Sequence, residues 1–285
     1  MRDVTIGIQI ALQLGDMARL REQWIKADQL GVDRIWASDH LNAVIADSDF
    51  MNQTNDGTNS RAHEVNRNVF EGTTVQAAMA VTTSRAEIGC LVQSNGYRNP
   101  NLTGYIANTL DHLSGGRYIL GIGSGFLKAD YDEFGYEYGT QKERSEKLAR
   151  DLPVILDRLK KVSPAPTRRI PLLIASMGET IGLPLVAKYA DMWHAYGPLD
   201  KLRAKAEKLR AICRDIGRDP DEIEYTTYYI PRLIGGSDDT VENFIDAGFT
   251  HLILLSEGPE WDLGELKETL EWRDSLRQNA KQPTA

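Results

Sequence analysis

The chain has 285 residues, of which 41% are hydrophobic and 26% are charged, a composition that excludes collagen, coiled coils and disordered chains. Its net charge of −8 argues against nucleic acid or an anionic membrane surface as a partner, because both require a basic face. Two cysteines, Cys90 and Cys213, form no spaced motif, and no stretch is apolar enough to cross a membrane. We therefore expect a cytoplasmic protein with no metal site.

Short apolar runs recur along the chain and predict strands. They are continuous rather than alternating, which is typical of parallel strands covered on both faces. The predicted strands are Val4–Ile10, Arg34–Ser38, Glu87–Val92, Tyr118–Ile122, Ile170–Ala175, Asp191–Ala195, Glu224–Ile234 and His251–Leu255. Helix-spaced apolar residues fill the intervals, for example a predicted buried face of Leu102, Ile106, Leu110 and Leu113. Eight strands alternating with eight helices predict one α/β domain over residues 1–285, a (β/α)8 TIM barrel, with an open doubly wound sheet as the alternative.

Two connections are much longer than the others. Leu41–Phe70 follows the second strand, and Gly123–Thr140, which is rich in aromatic residues, follows the fourth. Both follow strand C-termini, the catalytic face of a barrel, and long loops there are often lids. The alternative is that they only decorate the surface.

The second strand ends in Trp36-Ala37-Ser38-Asp39-His40. A histidine at the C-terminal end of a barrel strand is well placed for proton transfer near neutral pH. The alternative is that His40 only bonds a neighbouring carbonyl.

The third strand leads into polar residues that include Ser94, Asn95, Tyr97 and Arg98. This set suits binding of a polar heterocycle or an anion, although the Asn-Gly and Asn-Pro pairs here are also ordinary turn formers. Glycines at 121, 123 and 125 follow the fourth strand. Their spacing argues against a dinucleotide fingerprint, and they allow a planar ligand to approach the backbone.

After the fifth strand, Ser176–Thr180 leads into a helix. Small residues at a helix N-terminus expose N–H groups that attract anions, but plain capping by Ser176 or Thr180 explains the pattern equally well. We interpret His194, at the end of the sixth strand, as structural.

Taken together, these segments resemble the luciferase-like flavin and deazaflavin oxidoreductases over nearly the whole chain. The stretches that carry the resemblance are Trp36–His40, Phe70-Glu71, Gly89–Val92, Asn95, Tyr97–Pro100, Thr109–Arg117, Gly121–Gly123 and Pro171–Gly178. Within this family, Ser-Asp-His at the end of the second strand is similar to the branch that uses coenzyme F420. The FMN-dependent branch more often has Glu-His-His there.

The resemblance implies a hydride transfer between the C5 carbon of F420 and a small organic substrate. It implies that His40 is the proton donor or acceptor, with Glu71 as the competing candidate, and that a bulge or cis peptide at Leu91-Val92 backs the ring. Ser176–Ile181 would receive the cofactor phosphate. The cofactor-binding residues expected from the motifs and the resemblance are Asp39, Leu91, Val92, Ser94, Asn95, Gly123, Ser176, Met177, Gly178, Thr180 and Ile181.

Two other functions stay open: an FMN-dependent monooxygenase and a non-catalytic F420-binding protein. The sugar-phosphate dehydrogenases of the F420 branch carry a catalytic glutamate where this chain has Phe126, so we expect a different substrate, one that is apolar or planar. The family resemblance also implies a homodimer.

Overall fold

The structure is a computed structural model that describes residues 3–43, 69–230 and 240–279. Its strands form one closed parallel sheet, in which β1 pairs with both β2 and β9 and β3 pairs with β5. The strands are β1 Thr5–Ile10, β2 Arg34–Ala37, β3 Glu87–Cys90, β4 Gln93–Ser94, β5 Tyr118–Gly123, β6 Leu172–Ala175, β7 Met192–His194, β8 Glu224–Tyr228 and β9 Phe249–Ser256.

The third place in the barrel is shared by β3 and β4. A cis peptide bond joins Leu91 to Val92 between them, as the sequence resemblance implies. Both segments pair with β5, through Ile88 opposite Tyr118 and Gln93 opposite Ile122. The nine segments therefore occupy eight places, and the predicted TIM barrel is confirmed over the open-sheet alternative.

Helices cover the outside of the barrel. They are α1 Met17–Leu30, α2 Gly72–Thr82, α3 Pro100–Ser114, α4 Lys128–Phe134, α5 Gln141–Lys161, α6 Gly182–Tyr189, α7 Leu199–Asp215, α8 Val241–Asp246 and α9 Gly264–Asn279. The short α4 lies inside the connection over 123–140. Most of the connection over 41–70, and residues 231–234 of the seventh predicted strand, lie outside the described residues.

The predicted buried face of α3 is right at Leu110, which is buried, and at Ile106, which packs against the core, but wrong at its two ends. Leu102 and Leu113 are exposed, whereas Gly104, Ala107 and Asp111 are buried. The reason is close packing against α5, since a Cβ on Gly104 would lie 2.9 Å from the Arg158 side chain. Gly104 therefore lies against the neighbouring helix, and hydrophobicity alone does not locate both ends of the buried face.

The base of the barrel is filled by Trp36 and a chain of hydrogen bonds. The Trp36 indole donates to Nε2 of His251 over 3.1 Å, and Nδ1 of His251 lies 2.8 Å from the Thr5 hydroxyl. Burial lowers the pKa of His251, which keeps the ring neutral. Gly7 and Gly89 leave room for these rings, because a Cβ at either position would lie within 2.9 Å of them.

Gly89→Ala should destabilise the protein, because its Cβ would lie 2.7 Å from both the Ile119 carbonyl oxygen and the Trp36 ring. Overpacking of this kind costs about 1–3 kcal/mol. Urea unfolding measures the change in free energy. Gly178→Ala is the matched control, since its Cβ would meet nothing nearer than 3.8 Å. Equal stability of the two variants would contradict the packing argument.

Candidate active site

A cavity of about 190 Å³ opens at the C-terminal ends of the strands. Its wall includes nine of the thirteen expected site residues and several that the sequence did not single out. The expected residues at the wall are Asp39, His40, Leu91, Val92, Ser94, Gly123, Ser176, Met177 and Gly178, of which all but His40 were expected to bind the cofactor.

His40 lies at the cavity wall and is held from behind by a buried carboxylate. Its Nδ1 is 3.0 Å from Oδ2 of Asp130, which lies on α4. The same Oδ2 accepts from the Tyr97 hydroxyl at 2.8 Å, and Oδ1 accepts from the Asn42 amide at 2.9 Å. The edge of the Phe126 ring packs against the imidazole. The second strand and α4 thus fix His40 together.

Asp39 points away from His40, as strand alternation requires, and pairs with Arg98. Both guanidinium nitrogens of Arg98 lie 2.7 Å from the Asp39 carboxylate, and one also lies 2.7 Å from Glu71. Burial alone would lower the pKa of Arg98, but the bonds and charges of Asp39 and Glu71 outweigh it and raise that pKa. The backbone N–H of Ser94 completes the set by donating to Asp39.

Glu71 is the N-cap of α2. Its carboxylate accepts from the backbone N–H groups of Thr73 and Thr74 and from the Thr74 hydroxyl. Burial would raise the pKa of Glu71, but the bonds from Thr74 and Arg98 lower it to about 2. Glu71 is not at the cavity wall. Its carboxylate is already engaged as a cap and as an ion-pair partner.

The residues over 91–94, at the end of the third strand, line the cavity. The Leu91 carbonyl accepts from the Gln9 amide at 2.9 Å, and Gln9 accepts in turn from Tyr228. Asn95 differs from the other expected residues of this segment, because its amide reaches Asp151 on α5 and the residue is not at the cavity wall.

The segment after β6 reaches the cavity only with its first residues. The Ser176 hydroxyl accepts from the Gly178 N–H at 3.3 Å, and the Trp193 indole donates to the Ser176 carbonyl. Thr180 is exposed, and neither it nor Ile181 is at the cavity wall, although Ile181 is the N-cap of α6. Of the residues expected to receive a phosphate, Ser176, Met177 and Gly178 therefore lie at the cavity wall.

His194 lies at the cavity wall, which its interpretation as structural did not anticipate. Its Nδ1 is 2.9 Å from the hydroxyl of Thr226, its register partner on β8. Its Nε2 is buried and has no hydrogen-bond partner among the described residues. Burial lowers the pKa of His194 to about 3, so the ring is neutral. An orphaned nitrogen at a cavity wall is a ready contact for a polar ligand.

The aromatic residues of the connection over 123–140 mostly pack on one another. Tyr131 contacts Tyr97, Tyr136 and Tyr138, and only Phe126 of this connection's aromatic residues lies at the cavity wall. The sequence had suggested these rings as a substrate surface, with lid packing as the alternative, and the described contacts favour packing for the tyrosines.

Asp130, Gln9 and Tyr228 were missed by sequence reasoning. Asp130 sits in an acidic, aromatic stretch that carries no spaced motif, and Gln9 lies inside an apolar strand. Gln9 could have been found from the sequence, because a glutamine within a buried strand requires a hydrogen-bond partner. In the parts of the chain that the structure describes, no helix suits a membrane span and no cluster of His, Cys, Asp or Glu is arranged to bind a metal.

The fold and the cavity define a (β/α)8 barrel with a histidine and polar main chain at its catalytic face. The family model of the luciferase-like monooxygenases matches residues 5–280. The chain therefore belongs to this family of oxidoreductases.

Its relatives include enzymes that use F420. A phthiodiolone/phenolphthiodiolone dimycocerosates ketoreductase of Mycobacterium tuberculosis is 27% identical over 264 residues, 85% of this chain and 68% of the relative. An F420-dependent glucose-6-phosphate dehydrogenase of Amycolatopsis mediterranei is 27% identical over 188 residues, which are 60% of this chain and 50% of the relative. The fold is similar to that of an F420-dependent secondary alcohol dehydrogenase in complex with an F420-acetone adduct, with a TM-score of 0.73 and 17% identity over 94% and 98% of the two chains.

The lowered pKa of Glu71 predicts a specific acid sensitivity. Because this pKa falls from 4.5 to about 2 on folding, the carboxylate stabilises the fold above pH 4.5, and that contribution is lost as the pH falls towards 2. Glu71→Gln should therefore lose less stability than wild type between these pH values. Thermal unfolding at a series of pH values measures this, with the exposed Glu268→Gln as control. Parallel curves for wild type and Glu71→Gln would refute it.

Proposed function

We propose that this protein is an F420-dependent oxidoreductase. The observation that carries the proposal is the Ser-Asp-His end of the second strand, with His40 and Asp39 at the wall of the cavity and the Asp39 carboxylate bound to Arg98. The F420-dependent relatives support it. An FMN-dependent monooxygenase is the alternative, because the family contains both kinds of enzyme and is described by its monooxygenases.

The residues present fit a deazaflavin. The orphaned Nε2 of His194 offers a hydrogen bond to a ring substituent, and Leu91, Val92 and Gly123 at the cavity wall offer an apolar surface for the ring. Ser176, Met177 and Gly178 would hold the phosphate end through main-chain N–H groups. Asn95, Thr180, Ile181 and Asp39 would act indirectly, by shaping these segments. When bound, F420 supplies or accepts a hydride.

His40 is the residue we assign to proton movement. It lies at the cavity wall, whereas Glu71 does not and has its carboxylate committed to α2 and Arg98. Phe126 packs on the imidazole and narrows the substrate's approach to it. Because a ketoreductase and a secondary alcohol dehydrogenase are among the similar proteins, a ketone and its alcohol are the first substrate pair to test.

We also propose that residues 1–285 act as a single domain, that the protein is a cytoplasmic homodimer, and that its partners are small molecules rather than nucleic acid. Sedimentation at micromolar concentration tests the dimer, and a monomer mass would contradict it.

The decisive experiment is an equilibrium titration with F420 and FMN side by side. We expect F420 to bind and FMN to bind much more weakly.

Gly178→Val should weaken F420 binding without unfolding the protein. A Cβ at position 178 would clash with no described atom, but it would enter the proposed phosphate site. If folded Gly178→Val binds F420 with wild-type affinity, the phosphate site lies at other residues. In the titration of wild type, tight FMN binding without detectable F420 binding would overturn the proposal.

His40→Asn should lower turnover of a ketone–alcohol pair with F420 by about 10²- to 10⁴-fold, the usual effect of removing a general acid or base. F420 affinity should persist, because main chain and the phosphate site supply most contacts. Steady-state rates and the titration above measure the two effects. Near-normal turnover of His40→Asn, beside a dead Glu71→Gln variant, would transfer the role to Glu71.

A further inference from the structure

The buried carboxylate behind His40 receives three hydrogen bonds. Asp130 accepts from Nδ1 of His40, from the Tyr97 hydroxyl and from the Asn42 amide, and its side chain has 0% exposure. Each of these three side chains can donate a hydrogen bond to the carboxylate. Arg98, a nearby cation, is bound to Asp39 and Glu71 and does not compete.

Asp130 is held in its ionised form. Burial would raise its pKa, but the bonds from His40, Asn42 and Tyr97 outweigh burial and lower it. Burial and the charge of Asp130 raise the pKa of Tyr97, so the phenol keeps its proton and donates. An ionised carboxylate accepts hydrogen bonds and cannot donate them. The proton of the 3.0 Å contact therefore lies on Nδ1 of His40.

We propose that Asp130 is a positioning residue that fixes His40 as the Nδ1–H tautomer and leaves the lone pair of Nε2 for the cavity. The catalytic meaning of this arrangement rests on the proposed function. With an alcohol as substrate, Nε2 of His40 would accept the O–H proton, and bound F420 would accept the hydride from carbon. In ketone reduction, the imidazolium returns that proton to the substrate oxygen. The opposite tautomer would present an N–H and could not accept the proton.

A purely structural role is the competing explanation. The bonds from Tyr97 and Asn42 would by themselves tie α4 to the ends of β2 and β4. Such a role does not depend on which nitrogen of His40 carries the proton, so the tautomer separates the two explanations.

Long-range ¹H–¹⁵N spectra of histidine rings report the tautomer directly and need neither cofactor nor substrate. We would record them at alkaline pH, where imidazole rings are neutral, and assign the His40 signals with His40→Asn. Wild type should show His40 as Nδ1–H. Asp130→Ala should shift it towards Nε2–H, and Tyr97→Phe, which removes a donor to the same oxygen but keeps the acceptor, should leave it unchanged.

Nε2–H in wild type, or an unchanged tautomer in folded Asp130→Ala, would overturn the proposal. If Asp130→Ala does not fold, as judged by circular dichroism, the wild-type and Tyr97→Phe spectra still decide it. F420 affinity of folded Asp130→Ala should stay within about 3-fold of wild type, since Asp130 is not at the cavity wall. Lost affinity would favour the structural role. Failure of wild type to bind F420 would instead overturn the proposed function and leave the tautomer result intact.

Discussion

The site depends on the ion pair between Arg98 and Asp39. This pair joins the end of β2 to the segment after β4, and through Glu71 it also reaches the first turn of α2. Both partners of the pair are largely shielded from water, so removal of one would leave the other as an uncompensated charge, which is strongly destabilising. The pair therefore fixes the direction in which β2 leaves the barrel. Because side chains alternate, Asp39 turned into the pair leaves His40 turned towards the cavity.

The number of hydrogen-bond partners explains how two histidines in one barrel have different roles. His251 has partners for both ring nitrogens, Thr5 and Trp36, and is part of the packed base. His194 has one partner, Thr226, and its other nitrogen lies at the cavity wall. Burial keeps both neutral, so neither adds charge to the barrel interior. The difference lies in how far along the strand each residue sits, since the base is enclosed and the C-terminal end is open.

The sequence predicts the barrel well because each strand is a continuous apolar run and each helix repeats its apolar spacing. It also brings His40, Ser94, Gly123 and Ser176 to one end, since all follow strand C-termini. It misjudges the ends of α3, where Leu102 and Leu113 are exposed and Gly104 lies against α5. It misses Asp130 because that contact joins residues 90 positions apart through a short helix within a connection. Contacts between connections depend on tertiary packing, which hydrophobic periodicity does not encode.

The filled base of the barrel has a kinetic consequence. Trp36 and His251 are fully buried, and Ile119, Leu173 and Met192 belong to the same buried cluster as Trp36, so among the described residues packed side chains close the base and the cavity lies at the C-terminal end. Two molecules that share such a cavity must pass through one entrance. The one that sits deeper has to arrive first and depart last. Cofactor and substrate would then bind in a compulsory order, with the order set by the packing of the barrel and not by their relative affinities.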